Sequence, residues 1–277
     1  MKLLVIGGNG MAGHALIRYF REEYPEHEVV YTTRRADGEG SLALDAADAE
    51  SVAALVQSVR PEIIINAAGV LNQDAESHPL AAYMVNGFLP HWLRYAADTV
   101  GARVIHISSD CVFSGERGSY TEQDHPDGTS VYARSKALGE MNYGRHLTIR
   151  TSIIGPEIRP NGIGLLKWFL AQSGLVKGYA NVLWNGVTTL ELAKATAFAI
   201  EHPHIGGLVH LTASESVNKL TLLLLFQAAF EVENVRIVSD DRVSIDRTLV
   251  STRRDWTYRT SGYIRMLDEL AMWMKRA

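Results

Sequence analysis

The chain has 277 residues, a formal net charge of −4 and one cysteine, Cys111. That length allows one large or two modest domains with a sizeable core. The acidic balance excludes a general nucleic-acid binder, and a lone cysteine excludes an internal disulfide or a cysteine-based zinc cluster.

No apolar stretch is long enough to span a membrane. A predicted strand begins directly after Met1, so no signal peptide is expected and the cytoplasm is the expected compartment. That strand is the apolar run Leu3-Leu4-Val5-Ile6, a buried parallel strand by pattern. Gly7-x-x-Gly10-x-x-Gly13 follows, and His14 to Tyr24 reads as a helix. Gly7 lets the strand turn sharply, Gly10 lets backbone approach a pyrophosphate, and Gly13 lets the helix pack close to the sheet. The free N–H groups at that helix start would hold the pyrophosphate, with Asn9 and Met11 in the same loop. A dinucleotide is the expected cofactor.

The second strand, Val29 to Thr32, leads into Thr33-Arg34-Arg35. An NAD-binding strand often ends in a carboxylate at this point, which bonds the ribose 2′-hydroxyl and repels a 2′-phosphate. Two guanidiniums favour a phosphate instead, so NADPH is expected and NADH is the lesser option. Asp37 comes late to act as the ribose acid and stands as the rival reading.

Asp48 to Val59 reads as a helix, Glu62 to Asn66 as strand three, Leu80 to Val100 as a long helix and Arg103 to Ile107 as strand four. Val131 to Tyr143 reads as the next helix and Leu147 to Arg150 as strand five. The alternation implies right-handed crossovers and a doubly wound parallel sheet of Rossmann type, α/β in class, with ligands outside the carboxyl ends of the strands.

Strand four delivers Ser108-Ser109-Asp110, and the following helix carries Tyr132-x-x-x-Lys136. Lys136 lies on the same helix face as Tyr132, where its charge would lower the phenol pKa. Ser109 would hydrogen-bond a substrate oxygen. Such a set suits proton donation during carbonyl reduction.

Past Arg150 come loop signals and a predicted helix near Leu165 to Gln172. A Gly/Asn-rich connection through Trp184-Asn185-Gly186 precedes a helix from Leu190 to Glu201 and a strand at Leu208 to Leu211. Helices at Leu220 to Phe230 and Tyr263 to Lys275 complete the chain. Residues 1–151 are expected to form the NAD(P)-binding domain with the Ser/Tyr/Lys set. Residues 152–277 are expected to form a smaller α/β substrate-binding lobe, with segments crossing between the two.

These motifs resemble the extended short-chain dehydrogenase/reductases. The carriers are the glycine pattern, Asn66-Ala67-Ala68-Gly69, Ser109-Asp110-x-Val112-Phe113-x-Gly115, Tyr132-x-x-x-Lys136 and Arg150-Thr151-Ser152. The branch they resemble is the dTDP-4-dehydrorhamnose reductase-like group, which reduces 4-keto-6-deoxy sugar nucleotides for deoxysugar and polysaccharide biosynthesis. The resemblance implies that NADPH delivers hydride to C4 while Tyr132 donates the proton. Lys136 holds the nicotinamide ribose, and Ser109 bonds the keto oxygen. Asp110 contacts a sugar hydroxyl, Ala67, Ala68 and Gly69 line the nicotinamide side, and Asp45 lies near the adenine. A small-molecule nucleotide sugar is the implied partner, and a homodimer is the default assembly.

Two segments depart from the branch. Ile153 stands where an aromatic residue commonly follows Arg-Thr-Ser, and Asp246-Arg247-Thr248-Leu249 departs from its Arg-Pro-x-Asn-Ser pattern. Both would face substrate, as would Trp184, and Arg247, Arg253 and Arg254 are candidates to clamp a diphosphate. His78, His106 and His125 lack metal-ligand spacing, so no metal is expected. Cys111, Trp168 and Phe169 read as packing residues, and Glu157 and Asp124 form no acid pair. Two other readings stay open: a non-catalytic NADP-binding subunit resembling the regulatory subunit of methionine adenosyltransferase, and a sugar-nucleotide 4-epimerase.

Overall fold

The computed structural model describes residues 1–36, 38, 40–159 and 162–276. Asp37, the rival ribose acid, lies outside the described residues.

The N-terminal half alternates as expected: β1 (Lys2–Ile6), α1 (Met11–Glu23), β2 (Glu28–Thr33), β3 (Ser41–Ala43), α2 (Ala49–Val59), β4 (Ile63–Asn66). It continues through α3 (Asn72–Ser77), α4 (Pro79–Ala82), α5 (Leu89–Val100), β5 (Arg103–Ser109), α6 (Val131–Leu138) and β6 (Leu147–Thr151). The C-terminal half comprises β7 (Ile153–Ile154), α7 (Leu165–Leu170), β8 (Gly174–Trp184), β9 (Val187–Thr188) and α8 (Thr189–Glu201). It ends with β10 (Gly207–His210), β11 (Val217–Asn218), α9 (Lys219–Ala229), β12 (Val235–Asp246) and α10 (Tyr263–Lys275).

Seven parallel strands form the main sheet in the order β10-β6-β5-β4-β1-β2-β3. Both faces are covered, which is why β1 reads as a continuous apolar run. Successive side chains point to opposite faces. Leu3 and Val5 join the core beneath α1 and α8, whereas Leu4 and Ile6 join the one beneath α2 and α5. Ile63 and Ile65 divide from Ile64 in the same way. The strand order reverses at β1, between β2 and β4, and a crevice opens there at the carboxyl ends.

Local chemistry sets the boundaries. Asp48 caps α2 by accepting from Glu50 N at 3.1 Å, and Ser130 caps α6 by accepting from Ala133 N at 3.0 Å. The expected helix over 131–143 stops at Leu138 because Gly139 packs against the Asn86 carbonyl, which a Cβ there would approach to 2.1 Å. The long helix expected over 80–100 contains a π-helical stretch, Tyr83–Phe88, which turns Asn86 inward to complete burial.

The C-terminal half departs further from expectation. The expected connection through Trp184 is the long strand β8, paired in parallel with β12 and antiparallel with β11 in a separate three-stranded sheet. Gly174, Gly178 and Asn181 interrupt its alternation, so a strand is hard to read there. β10 returns to the main sheet beside β6, and α8 packs on α1. The polypeptide therefore crosses the division at residue 151.

Gly13 lies under the first turn, where an added Cβ would sit 2.2 Å from Gly7 O. Gly13→Ala should destabilise the fold by about 1–3 kcal/mol, the usual cost of overpacking, checked by urea denaturation.

Candidate active site and cofactor cleft

The crevice is a cleft of about 900 Å³. Its floor follows from where the parallel strands end. The turn after β1 contributes Gly7, Asn9, Gly10 and Met11, and β2 leads into Arg34 and Arg35. Asp45 follows β3, and β4 leads into Ala67, Ala68 and Gly69. Ser109 and Asp110 come from the end of β5, Tyr132 and Lys136 from α6, and Ile153 from the segment after β6. Residues from seven separate stretches of sequence thus share one cavity.

At the glycine turn, Gly7 has φ of 88°, and Gly10 N donates to Gly7 O at 3.0 Å. Gly10 caps α1 without a side chain, and no acidic residue stands in the first turn. The amides there face an anion-ready space. A Cβ at Gly10 would come to 3.3 Å from Gly7 O, a tight contact that the turn would have to relax to admit. Gly13 serves packing and does not line the cleft. Arg34 and Arg35 are exposed at the rim, and Asp45 accepts from Ala47 N at 2.9 Å.

The hydroxyl pair lies deeper. Ser109 Oγ accepts from Cys111 N at 3.1 Å and donates to Asp110 Oδ1 at 3.2 Å. The Tyr132 phenol shares the cleft with Ser109, and burial pushes its pKa up, with the nearby Cys111 and Asp110 adding to the rise. This departs from the expectation that Lys136 lowers it. Lys136 Nζ instead donates to Ile107 O at 2.7 Å and lies 3.5 Å from His106 Nε2. Burial draws the ammonium down to about 8. His106 is a packed core residue, its Nδ1 held 3.1 Å from Asn66 Nδ2.

Sequence reasoning missed several supports. Asn86 accepts from Val70 N at 2.8 Å and donates to Val70 O at 2.9 Å and Ser135 Oγ at 3.0 Å. It ties the loop after β4 to the helix carrying Tyr132; an asparagine inside an apolar helical pattern was the available signal. Glu140, just past α6, accepts from Ser108 Oγ at 2.7 Å and from Arg150 Nε at 2.8 Å. Arg150 is buried and its Nη1 lies 2.9 Å from His210 Nε2. Burial and Arg150 lower the His210 pKa, so the neutral ring accepts from Arg150 and donates through Nδ1 to Val250 O at 3.1 Å.

Other candidates fall elsewhere. Trp184 is buried at the end of β8, not in a loop at the mouth; its Nε1 donates to Ser152 Oγ at 2.8 Å and its ring stacks on Tyr263. Arg247 does not line the cleft; its Nε donates to Phe113 O at 2.9 Å, though its charge reaches Asp110. Arg253 pairs with Asp255 at 2.6 Å and bonds the Gly206 and Leu208 carbonyls, so it is structural, and Arg254 is exposed. Asp124 pairs with Arg117 at 2.7 Å, and Glu157 lines the cleft while accepting from Gly164 N at 3.1 Å. Phe169 is core, whereas Trp168 is exposed. Burial pushes the Cys111 thiol up to about 12, which removes it as a thiolate nucleophile. Among the described residues no cluster of ligands could hold a metal, and no helix is long and apolar enough to cross a membrane.

Residues 1–244 match the family model described as the RmlD substrate-binding domain. The chain belongs to this family. It is 35% identical over 181 residues to the dTDP-4-dehydrorhamnose reductase of Escherichia coli K12, a match covering 61% of this chain and 60% of the relative. The chain thus matches less than two-thirds of that relative's length. It is also 33% identical over 140 residues to methionine adenosyltransferase 2 subunit beta of Rattus norvegicus, covering 50% of this chain and 41% of the relative. The solved structure of dTDP-4-dehydrorhamnose reductase from Bacillus anthracis in complex with NADP superposes with a TM-score of 0.83 at 19% identity, over 98% of this chain and 99% of that one. The Rossmann-type α/β architecture of this RmlD-family chain is therefore shared along nearly its whole length.

Proposed function

We propose that this protein is an NADPH-dependent reductase of a nucleotide-activated 4-keto-6-deoxyhexose. The observation that carries the reading is the Ser109–Tyr132 hydroxyl pair sharing one cleft with an uncapped glycine turn. The matched reductases and the NADP bound to a protein of the same fold support it.

The residues present fit the cofactor. The α1 amides would hold the pyrophosphate, Arg34 and Arg35 the 2′-phosphate, and Lys136 the nicotinamide ribose. Bound there, NADPH supplies the hydride to C4. Ser109 orients the keto oxygen, and Tyr132 gives it a proton, so the carbonyl becomes a secondary alcohol and the phenol is left as phenolate. The raised phenol pKa keeps that proton in place until charge develops on the oxygen. Asp110 would accept from a sugar hydroxyl. The match to the rat regulatory subunit keeps cofactor binding without turnover as the competing reading, and a buried acid beside an oriented serine favours the enzyme.

NADPH oxidation followed at 340 nm against dTDP-, UDP- and GDP-linked 4-keto-6-deoxy sugars tests the reading, with turnover expected on one of them. Binding of NADPH with no turnover on any would favour the regulatory subunit.

Tyr132→Phe should lower kcat by about 10²–10⁴-fold, the scale of a lost general acid, while fluorescence titration shows NADPH binding retained. Arg34→Ala combined with Arg35→Ala should weaken NADPH at least ~10-fold more than NADH, measured as the two dissociation constants. Lys136 acts as a cation, and its folded pKa is lowered to about 8. Rising pH removes that proton, so kcat/KM should hold below that value and fall as pH rises through it, in a pH–rate profile of the free enzyme.

A further inference from the structure

Lys136 lines the cleft from α6, yet its ammonium is set against a buried histidine on β5 that the proton transfer leaves idle. β4 and β5 pair in parallel so that Asn66 lies beside His106, and both side chains are fully buried.

That register fixes every hydrogen-bond role. Asn66 Oδ1 accepts from Ala68 N at 3.2 Å, and a backbone N–H can only donate. The amide is thereby oriented, with Nδ2 toward His106 Nδ1 at 3.1 Å. Nδ2 is a donor, so Nδ1 is the acceptor and the neutral ring carries its proton on Nε2. Nε2 lies 3.5 Å from Lys136 Nζ. Burial and the lysine both oppose a charge on the ring, so it acts on Lys136 as an oriented N–H dipole and not as a cation.

An ammonium has three donors and no acceptor. Lys136 Nζ donates to Ile107 O at 2.7 Å. Toward His106 a charged Nζ meets a second donor, whereas a neutral amine offers a lone pair to the Nε2–H. The contact therefore favours the uncharged lysine, in the same direction as burial. Among the described residues two other charges reach the pair. Glu140, just past α6, favours the ammonium, and His91 on α5 adds to the opposition to a charged ring.

We propose that Asn66 and His106 are positioning residues that hold an N–H donor against Lys136 and weaken its hold on its proton. In the reductase reading above, on which this rests, Lys136 works as a cation, so the pair sets the alkaline limit of activity. Ribose hydroxyls of a bound dinucleotide would supply acceptors on the cleft side, so cofactor binding would favour the charged lysine.

Nuclear magnetic resonance of the ligand-free protein, with isotope-labelled histidine and lysine, tests the pair. In wild type, His106 should be neutral across the neutral pH range with its proton on Nε2. His106→Leu removes the donor. Asn66→Asp presents an oxygen to Nδ1, draws the ring proton there and turns Nε2 into an acceptor for the ammonium. Each variant should raise the pH at which Lys136 loses its proton by about 0.5–1 unit, the scale of one neutral hydrogen bond. The alkaline limb of kcat/KM should move up by the same amount. A wild-type ring protonated on Nδ1 would overturn the assignment even if neither variant folds. So would a Lys136 titration that stays in place in both variants; a lowered melting temperature with that unmoved titration would make the pair structural. The resonance readouts need neither sugar nor turnover, so the pair can fail while the reductase reading stands, and the reverse.

Discussion

The buried Arg150 guanidinium is the interaction on which the arrangement of the site depends. It stands on β6, beside the edge strand β10 of the main sheet, and is 2% exposed. Glu140 meets it from the end of the Tyr132 helix in a bidentate pair, with Nη2 to Oε2 at 2.5 Å. Ser108, one residue before Ser109, bonds the same carboxylate. His210 on β10 takes up another guanidinium N–H and passes the link to the Val250 carbonyl, and the Phe113 ring lies 4.8 Å away against the cation. One charge therefore joins the strand that ends in Ser109, the helix that carries Tyr132 and the strand that returns from the C-terminal half. Burying such a group is costly unless every donor is used, so the contact tolerates little displacement of its partners. That intolerance fixes the strand that ends in Ser109 against the helix that carries Tyr132.

Around this centre the fold separates two tasks. The strand order reverses beside β1, and the crevice that results exposes backbone amides at a helix start to anything with a phosphate. The small sheet formed by β8, β11 and β12 holds Trp184 against Ser152 and sets Lys219 over the Trp184 ring.

The helix and strand alternation of residues 1–150 was legible because both faces of the parallel sheet are buried. Continuous runs such as Ile63-Ile64-Ile65 leave little ambiguity about a strand. The glycine turn and the Ser109, Tyr132 and Lys136 set were legible because their spacing is local, within one strand–turn–helix or one helical turn. Less legible were β8 and β12, where glycine, asparagine and several charges interrupt the alternation. One face of that small sheet is partly exposed, which relaxes the hydrophobic pattern a strand otherwise shows. Trp184 was misplaced for the same reason.

By itself the sequence determined the dinucleotide turn, the cation-rich end of β2 and the residue types of the hydroxyl pair, since each depends on neighbours within a few positions. The tertiary structure alone decided the direction in which the pKa values of those groups shift and the surroundings of Trp184. Burial sets the direction of the Tyr132 and Lys136 shifts, and burial is a property of the packed chain. Lys219 lies over the Trp184 ring only because β11 pairs with β8, and no local pattern encodes that register.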